Sequence, residues 1–161
     1  MNFDIVRAIE RAVADGCDLV NISIQLGSPD EAVQSAIQDA QAKGTVCLAA
    51  AGNNYQQPVS YPAKYPEALA ISAIGKQGTF PPNSSEAADV MPPFAATDPA
   101  VFLAAFSNIG PEISATAPGV GIISTLPGGL YGVQSGTSMA CPAVTGFLAA
   151  RLADQTRSTQ C

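Results

Sequence analysis

Histidine is absent from the 161 residues of this chain. A serine or cysteine nucleophile here has no imidazole of its own to take its proton, and a histidine-ligated zinc centre is excluded. Charge is scarce too. Thirteen acidic and seven basic residues leave a net charge of −6, and charged residues make up only 12%. With no basic run, that balance argues against a nucleic-acid partner and against an anionic membrane surface. Long hydrophobic runs are also lacking. The longest, near Val46–Ala51 and Ala100–Phe106, fall far short of the ~20 residues a membrane-spanning helix needs. No signal peptide is visible at Met1–Val20, which reads as an amphipathic helix with charges throughout. Cysteine is sparse, and the spacing of Cys17, Cys47, Cys141 and Cys161 fits no metal-binding pattern. Cys17 and Cys47 read as buried small side chains, and Cys161 as a loose thiol or an intermolecular link.

What is present suits one folded domain. The length is that of one domain, and 47% hydrophobic residues exclude disorder and point to elements buried on both sides. Phe3, Val6, Ile9, Ala12 and Val13 recur at helical spacing, and Asp15-Gly16 ends that helix. Asp18 to Gln25, DLVNISIQ, is short, β-rich and reads as a strand. Ser28, Pro29 and Glu31 spell a capping box for a helix running to about Lys43, with Ala32, Val33, Ala36, Ile37 and Ala40 inward and Gly44 as its stop. Thr45–Ala51, TVCLAAA, is an apolar strand without alternation. Strand, helix and apolar strand make a right-handed βαβ unit, hence a mostly parallel sheet covered on both faces.

A third strand falls at about Ala68–Ile74. Lys76 to Asp98, rich in Pro, Ser and Ala without a period, reads as an inserted surface loop, and Ala100–Phe106 returns to the core. Ser114–Ala117 and Gly121–Thr125 are short β-segments, and Leu126–Gly132 is a hairpin candidate. A helix from about Ser138 to Ala153 carries Met139, Val144, Phe147, Leu148 and Leu152 on a broad apolar face; so apolar a helix is expected to be buried.

Two positions bear on chemistry. Ser138, in SGTSMACP, stands at the mouth of that helix, in the positive field of its amide dipoles and near free N–H groups. Both features suit a nucleophile whose attack creates an oxyanion. The alternative is an ordinary capping serine, or Thr137 capping with Ser138 inside. Pro142 removes one early helical hydrogen bond, so the Ser138 carbonyl is expected to be free. Asn53, in GNN after the second strand, lies at a strand's carboxyl end, where ligands of open α/β sheets gather. Its side-chain NH₂ can stabilise an oxyanion; the alternative is a turn asparagine.

DLVNISI, AKGTVCLAAAGNN, YPAKYPEALAISAIG, FSNIGPEISATAPGVGIISTLPGG and YGVQSGTSMACPAVTG occur in an order that resembles the later part of a subtilisin-like serine protease (subtilase) domain. GTSMA followed by x-P, with AAGN upstream, carries the match, which covers nearly the whole chain apart from about Lys76–Asp98. The resemblance implies an α/β fold in three layers, a mostly parallel sheet with helices on both faces, lacking its N-terminal part. It places the acylated nucleophile on Ser138 and the oxyanion-hole donor on Asn53. It makes Ser23, Ile24 and Gln25 one wall of the groove for an extended peptide or protein substrate, and Ala50, Ala51 and Gly52 the other. No cofactor is required; a weakly held monovalent cation, or calcium, falls on backbone oxygens near Ala63, Tyr65 and Ala68. A secreted or extracytoplasmic location is implied as well.

The departures from the family pattern matter as much. Gln25 and Leu26 stand where the family usually has glycines, so Gln25 narrows or blocks the groove, or the chain detours there. Cys141 replaces a small hydroxyl-bearing residue and reads as buried. Ala143 replaces a second, non-triad histidine. Above all, the family's Asp-Thr-Gly and His-Gly-Thr-His motifs are not in this sequence. In subtilisin itself, losing the histidine alone costs about a million-fold in turnover, or about 8 kcal/mol of barrier. The expected activity is therefore that of a serine endopeptidase completed by a second polypeptide that supplies the aspartate and histidine, the chain alone being inert. The alternative is a pseudoenzyme that keeps the groove to hold peptides. An α/β-hydrolase would need Gly where Ala140 stands, and a histidine downstream.

Overall fold

The computed structural model of the chain describes residues 2–95 and 97–158. In order, the elements are α1 (Asn2–Ala14), β1 (Leu19–Ile22), α2 (Glu31–Ala42), β2 (Val46–Ala50), β3 (Ala68–Lys76), a 3-10 turn at Ser85–Asp89, β4 (Val90–Phe94), β5 (Val101–Ala104), β6 (Ile113–Pro118), β7 (Ile122–Leu126), β8 (Leu130–Gln134) and α3 (Thr137–Ser158). β1, β2, β3 and β6 are parallel neighbours in that order. β5 joins β3 antiparallel, and β4 joins β5. β7 and β8 form a separate hairpin.

The unbroken apolarity of β2 follows from its place in the middle. Cys47 and Ala49 face a cluster with Ile5 and Ile9 of α1 and Val33, Ile37 and Ala40 of α2. Leu48 and Ala50 face the opposite cluster, with Ile71, Phe102, Ala117, Ala140 and Cys141. A strand covered on both sides has no solvent face on which to place polar residues. The result is the expected three layers: α1 and α2 on one face, α3 on the other.

Several expectations need correction. In α1, Ile9 is buried and Val6 and Val13 pack partly buried against the same cluster, as expected, but Ile5 is inward too and Phe3 points to solvent. Cys17 is exposed in the turn after α1, where its carbonyl accepts from Thr45 Oγ1 at 2.8 Å. Cys47 and Cys141 are buried, all three are free thiols, and Cys161 lies outside the described residues. β1 stops at Ile22 rather than running on to Gln25. The stretch after Lys76 is not loop throughout: it forms the 3-10 turn and β4. Pro92 and Pro93 hid that strand. Proline cannot donate to a ladder and is tolerated at a sheet edge, and here only Val90 and Phe94 register with β5.

The start of α2 also differs. Asp30, not Ser28, caps it, its carboxylate accepting from Ala32 N at 3.0 Å and Val33 N at 3.1 Å. An ionised carboxylate is a stronger acceptor than a hydroxyl for these first amides. Asn2 Nδ2 donates to the same group at 2.7 Å. That bond first, then the Val33 amide, holds the Asp30 carboxyl below its ordinary pKa. The burial expected of α3 is met only in part. Ala140 and Cys141 are covered, whereas Phe147 is 64% exposed and Leu152 40%. Apolar grooves flank the helix, one between it and β3/β6 and one beside Leu19.

Because the folded-state pKa of Asp30 is depressed, its contribution to stability is present above the unfolded carboxyl value and is lost as pH falls through the folded one. Asp30→Ala should therefore lower the urea midpoint at neutral pH. The difference between the two forms should shrink on acidification below the ordinary value of 3.8, as followed by circular dichroism.

Candidate active site

β1 and β2 run side by side as far as Ile22 and Ala49, then part. The chain after β1 turns to Tyr61, whose carbonyl accepts from Leu26 N at 2.7 Å. After β2, Ala51 N donates to the Ile71 carbonyl and the Ala51 carbonyl accepts from Ser60 N, both at 2.9 Å. The cleft that the resemblance implies falls between these two strand ends. Ser23, Ile24 and Gln25 lie on one side and Ala50, Ala51 and Gly52 on the other. The two alanine side chains are core, so only backbone can line that wall. Gly52 turns at φ 108°, and a Cβ there would come within 2.5 Å of Asn108 Nδ2; the position admits no side chain.

Asn53 follows, tied to the start of α3. Its Oδ1 accepts from Thr137 N at 2.9 Å and from Thr137 Oγ1 at 2.8 Å. A backbone N–H can only donate, so the oxygen faces Thr137 and the Asn53 NH₂ is turned away. That Nδ2 borders the space beside Gly136. A Cβ added at Gly136 would sit 3.3 Å from Asn53 Nδ2 and 3.7 Å from Ser138 N. The absent side chain thus keeps a Cβ from crowding two nitrogens, one of an amide side chain and one in a helix's first turn, with Met139 Sδ at 3.5 Å from the same point. Developing negative charge on an oxygen is best held in such a place.

Ser138 lies in that first turn and is half-buried. Its hydroxyl donates to the Ser23 carbonyl over a long 3.5 Å. Its carbonyl, expected to be free because Pro142 has no N–H, accepts from Ser23 Oγ at 3.0 Å. Ser23 Oγ in turn accepts from Asn21 Nδ2 at 2.9 Å, and Thr145 Oγ1 donates to Asn21 Oδ1 at 3.3 Å. Among the described residues no base is hydrogen-bonded to the Ser138 hydroxyl. A cavity of about 190 Å³ opens on its other side, lined by Ile122, Thr125 and Leu126 of the hairpin and Met139 and Pro142 of α3. Cys141, one turn on, is buried, and that burial pushes its thiol up to about 11; it packs rather than reacts.

Sequence reasoning missed the residues that brace the site. Asn108, 1% exposed, donates its backbone N–H to the Gly52 carbonyl at 2.9 Å. Its Oδ1 accepts from Asn54 N at 2.8 Å, and its Nδ2 lies 2.9 Å from Ser60 Oγ and 3.2 Å from Pro58 O. Thr137 is also fully buried and accepts from Gly52 N at 3.2 Å. The one available signal was a polar residue set within an apolar stretch.

Ala63, Tyr65 and Ala68 are buried at the start of β3, away from Ser138. Glu67 Oε2 there, and Glu112 Oε2 at the foot of the neighbouring β6, are buried without a hydrogen-bond partner. Orphaned oxygens of this kind fit a hard cation. No group of three or more His, Cys, Asp or Glu among the described residues forms a metal cluster.

Fold and geometry together give a three-layer α/β domain with a serine at a helix mouth. The model of the Subtilase family matches residues 1–159. The chain is 38% identical over 149 residues to subtilisin amylosacchariticus of Bacillus subtilis subsp. amylosacchariticus, a match covering 90% of this chain and 33% of that protein. To the thermophilic serine proteinase of Bacillus sp. (strain AK1) it is 36% identical over 155 residues, 96% of this chain and 33% of that one. Among solved structures, the self-cleaved protease domain of PatA superposes with a TM-score of 0.79 at 30% identity, over 99% of this chain and 54% of that chain. The prenylagaramide maturation protease PagA gives 0.78 at 30%, over 99% and 52%. This chain belongs to the subtilase family. It spans about a third of the length of the curated relatives it matches and about half of the solved chains.

Thr137→Val should leave Gly52 N without an acceptor and strip Asn53 Oδ1 of one of its two donors. A buried polar group so orphaned costs about 1–3 kcal/mol. Urea denaturation should show that loss, with Thr137→Ser largely restoring stability.

Proposed function

We propose that this chain is the nucleophile-bearing part of a subtilisin-type serine endopeptidase, completed by an aspartate and a histidine from polypeptide outside this sequence. The observation that supports it best is that Asn53 Nδ2 and Ser138 N both lie beside Gly136, 3.3 and 3.7 Å from where a Cβ would stand, next to a serine hydroxyl with no base. In the completed site the histidine takes the Ser138 proton as Oγ bonds to the scissile carbonyl carbon. The carbonyl oxygen, now negative, is held by Asn53 Nδ2 and Ser138 N. The same histidine then gives its proton to the leaving amine, and water cleaves the acyl-enzyme by the reverse sequence. Without the base the chain is inert.

The open edge of β1 and the exposed flanks of α3 support a covering polypeptide, since faces this apolar are a liability in a lone monomer. Ala63, Tyr65 and Ala68 would offer carbonyls to a structural monovalent cation or calcium, with Glu67 and Glu112 nearby in the fold; it would supply charge neutralisation and no chemistry. An extracytoplasmic site of action completes the proposal. No helix among the described residues is long and apolar enough to cross a membrane. A second reading, a peptide-holding pseudoenzyme, is favoured by Gln25, whose side chain crosses the cleft.

A fluorophosphonate probe separates the two. Ser138 should be labelled only when a polypeptide carrying the Asp and His motifs is added, and Ser138→Ala should abolish the signal. No labelling under either condition overturns the divided protease in favour of the binding module. In the complemented protein, Asn53→Ala should lower turnover by about 10²–10³, the loss measured for this donor in subtilisin itself.

A further inference from the structure

The two walls of the cleft are joined by a side chain. Gln25 leaves the first wall and docks its carboxamide on the second. Its Oε1 accepts from Asn53 N at 3.3 Å, and its Nε2 donates to Asn54 Oδ1. Asn54 is itself held. Its Oδ1 also accepts from Asn108 Nδ2 at 3.2 Å, and its N–H donates to Asn108 Oδ1 at 2.8 Å. The far end of the connection is therefore anchored in a buried residue rather than on a loose surface loop. Both ends of the carboxamide are engaged, one by the backbone of Asn53, the oxyanion donor itself, and one by its neighbour Asn54.

We propose that Gln25 is a specificity-determining residue. It forms a carboxamide bar across the cleft that admits small side chains next to the bond presented to Ser138 and excludes large apolar ones. This rests on the reading that the cleft holds extended peptide. A glycine, alanine or serine side chain is short enough to stop at the bar. A leucine or phenylalanine side chain reaching between the walls has to displace it. Two hydrogen bonds are then broken, one of them to the backbone of Asn53, and an apolar group lies against unpaired amides. At the usual net worth of such bonds, the discrimination is about 10- to 100-fold. Removing the carboxamide takes away both bridging hydrogen bonds, which suits a large side chain.

The test needs no catalysis, so the absence of a base does not affect it. N-acetyl tetrapeptide acids that differ only in ending with Ala, Leu or Phe are titrated into the ¹⁵N-labelled chain, and the Asn53 backbone amide is followed by NMR. The Ala-ending peptide should bind about 10- to 100-fold tighter than the Phe-ending one. Gln25→Gly and Asn54→Ala, which break the bar from either side, should each abolish or reverse that order. A wild-type chain that prefers Phe, or variants that keep the wild-type order, overturn the bar while leaving the groove standing. If no peptide moves Asn53 in any form, the groove fails and the bar with it. Whether the nucleophile site stands is then told separately by labelling of the complemented chain.

Discussion

One small, partly buried contact holds the site together: the pair of hydrogen bonds from Thr137 to Asn53 Oδ1. It joins the first turn of α3 to the loop after β2, two segments 84 residues apart in sequence. Because both donors belong to Thr137, the amide plane of Asn53 has one allowed orientation, with its NH₂ toward Gly136 and Ser138. Gly52 N donates to Thr137 Oγ1 and so closes the junction. A site whose donors are fixed before any substrate arrives needs no reorganisation when charge develops. The other polar contacts serve the same end. Ser23 takes the Ser138 carbonyl that Pro142 cannot satisfy, and Asn108 holds the Gly52 carbonyl and the Asn54 amide.

The core supplies the rigid frame for that junction. β2 is buried on both faces, and its fully buried Leu48 and Ala49 point to opposite clusters. Burying a side chain of leucine size contributes about 1.5–3 kcal/mol, so the strand that delivers Asn53 is among the best-held parts of the chain. α3, which delivers Ser138, is held on one side only. Its first turns lie over β2 and β3, and further along Phe147 and Leu152 face outward. The molecule thus pairs a firmly held strand leading to Asn53 with a helix carrying Ser138 whose flanks are exposed. That asymmetry is the physical content of the proposal that a second polypeptide completes the domain.

Most of the fold could be read from the sequence, because the signals were strong and local. The inward face of α2 was legible from Val33, Ala36, Ile37 and Ala40, though Ala32, also expected inward, is exposed at the first turn, and the central place of β2 from TVCLAAA. The errors arose where a competing principle prevailed. Asp30 outranked Ser28 as a cap because its carboxylate is the better acceptor. β4 was hidden by Pro92 and Pro93, which an edge strand tolerates. α3 had enough apolar residues for full burial, but in this chain the sheet covers one side of it. For the site, GTSMA and AAGN pointed to Ser138 and Asn53, and the structure brings both to one place. Asn108 was not legible, and Thr137 was read only as an alternative cap, since a buried polar residue's role is recognisable only once its partners are in position. Gln25 stood out as a departure from pattern, yet its direction across the cleft came only from the fold.

The central claim is that Asn53 Nδ2 and Ser138 N form a ready oxyanion site that lacks only its base. Its most direct test is a crystal structure of this chain, complemented with the Asp/His polypeptide and phosphonylated on Ser138. The account predicts the phosphonyl oxygen within about 2.7–3.1 Å of both donors, with the Thr137–Asn53 bonds intact. An oxygen turned away from both donors, or an Asn53 amide rotated off Thr137, would contradict it.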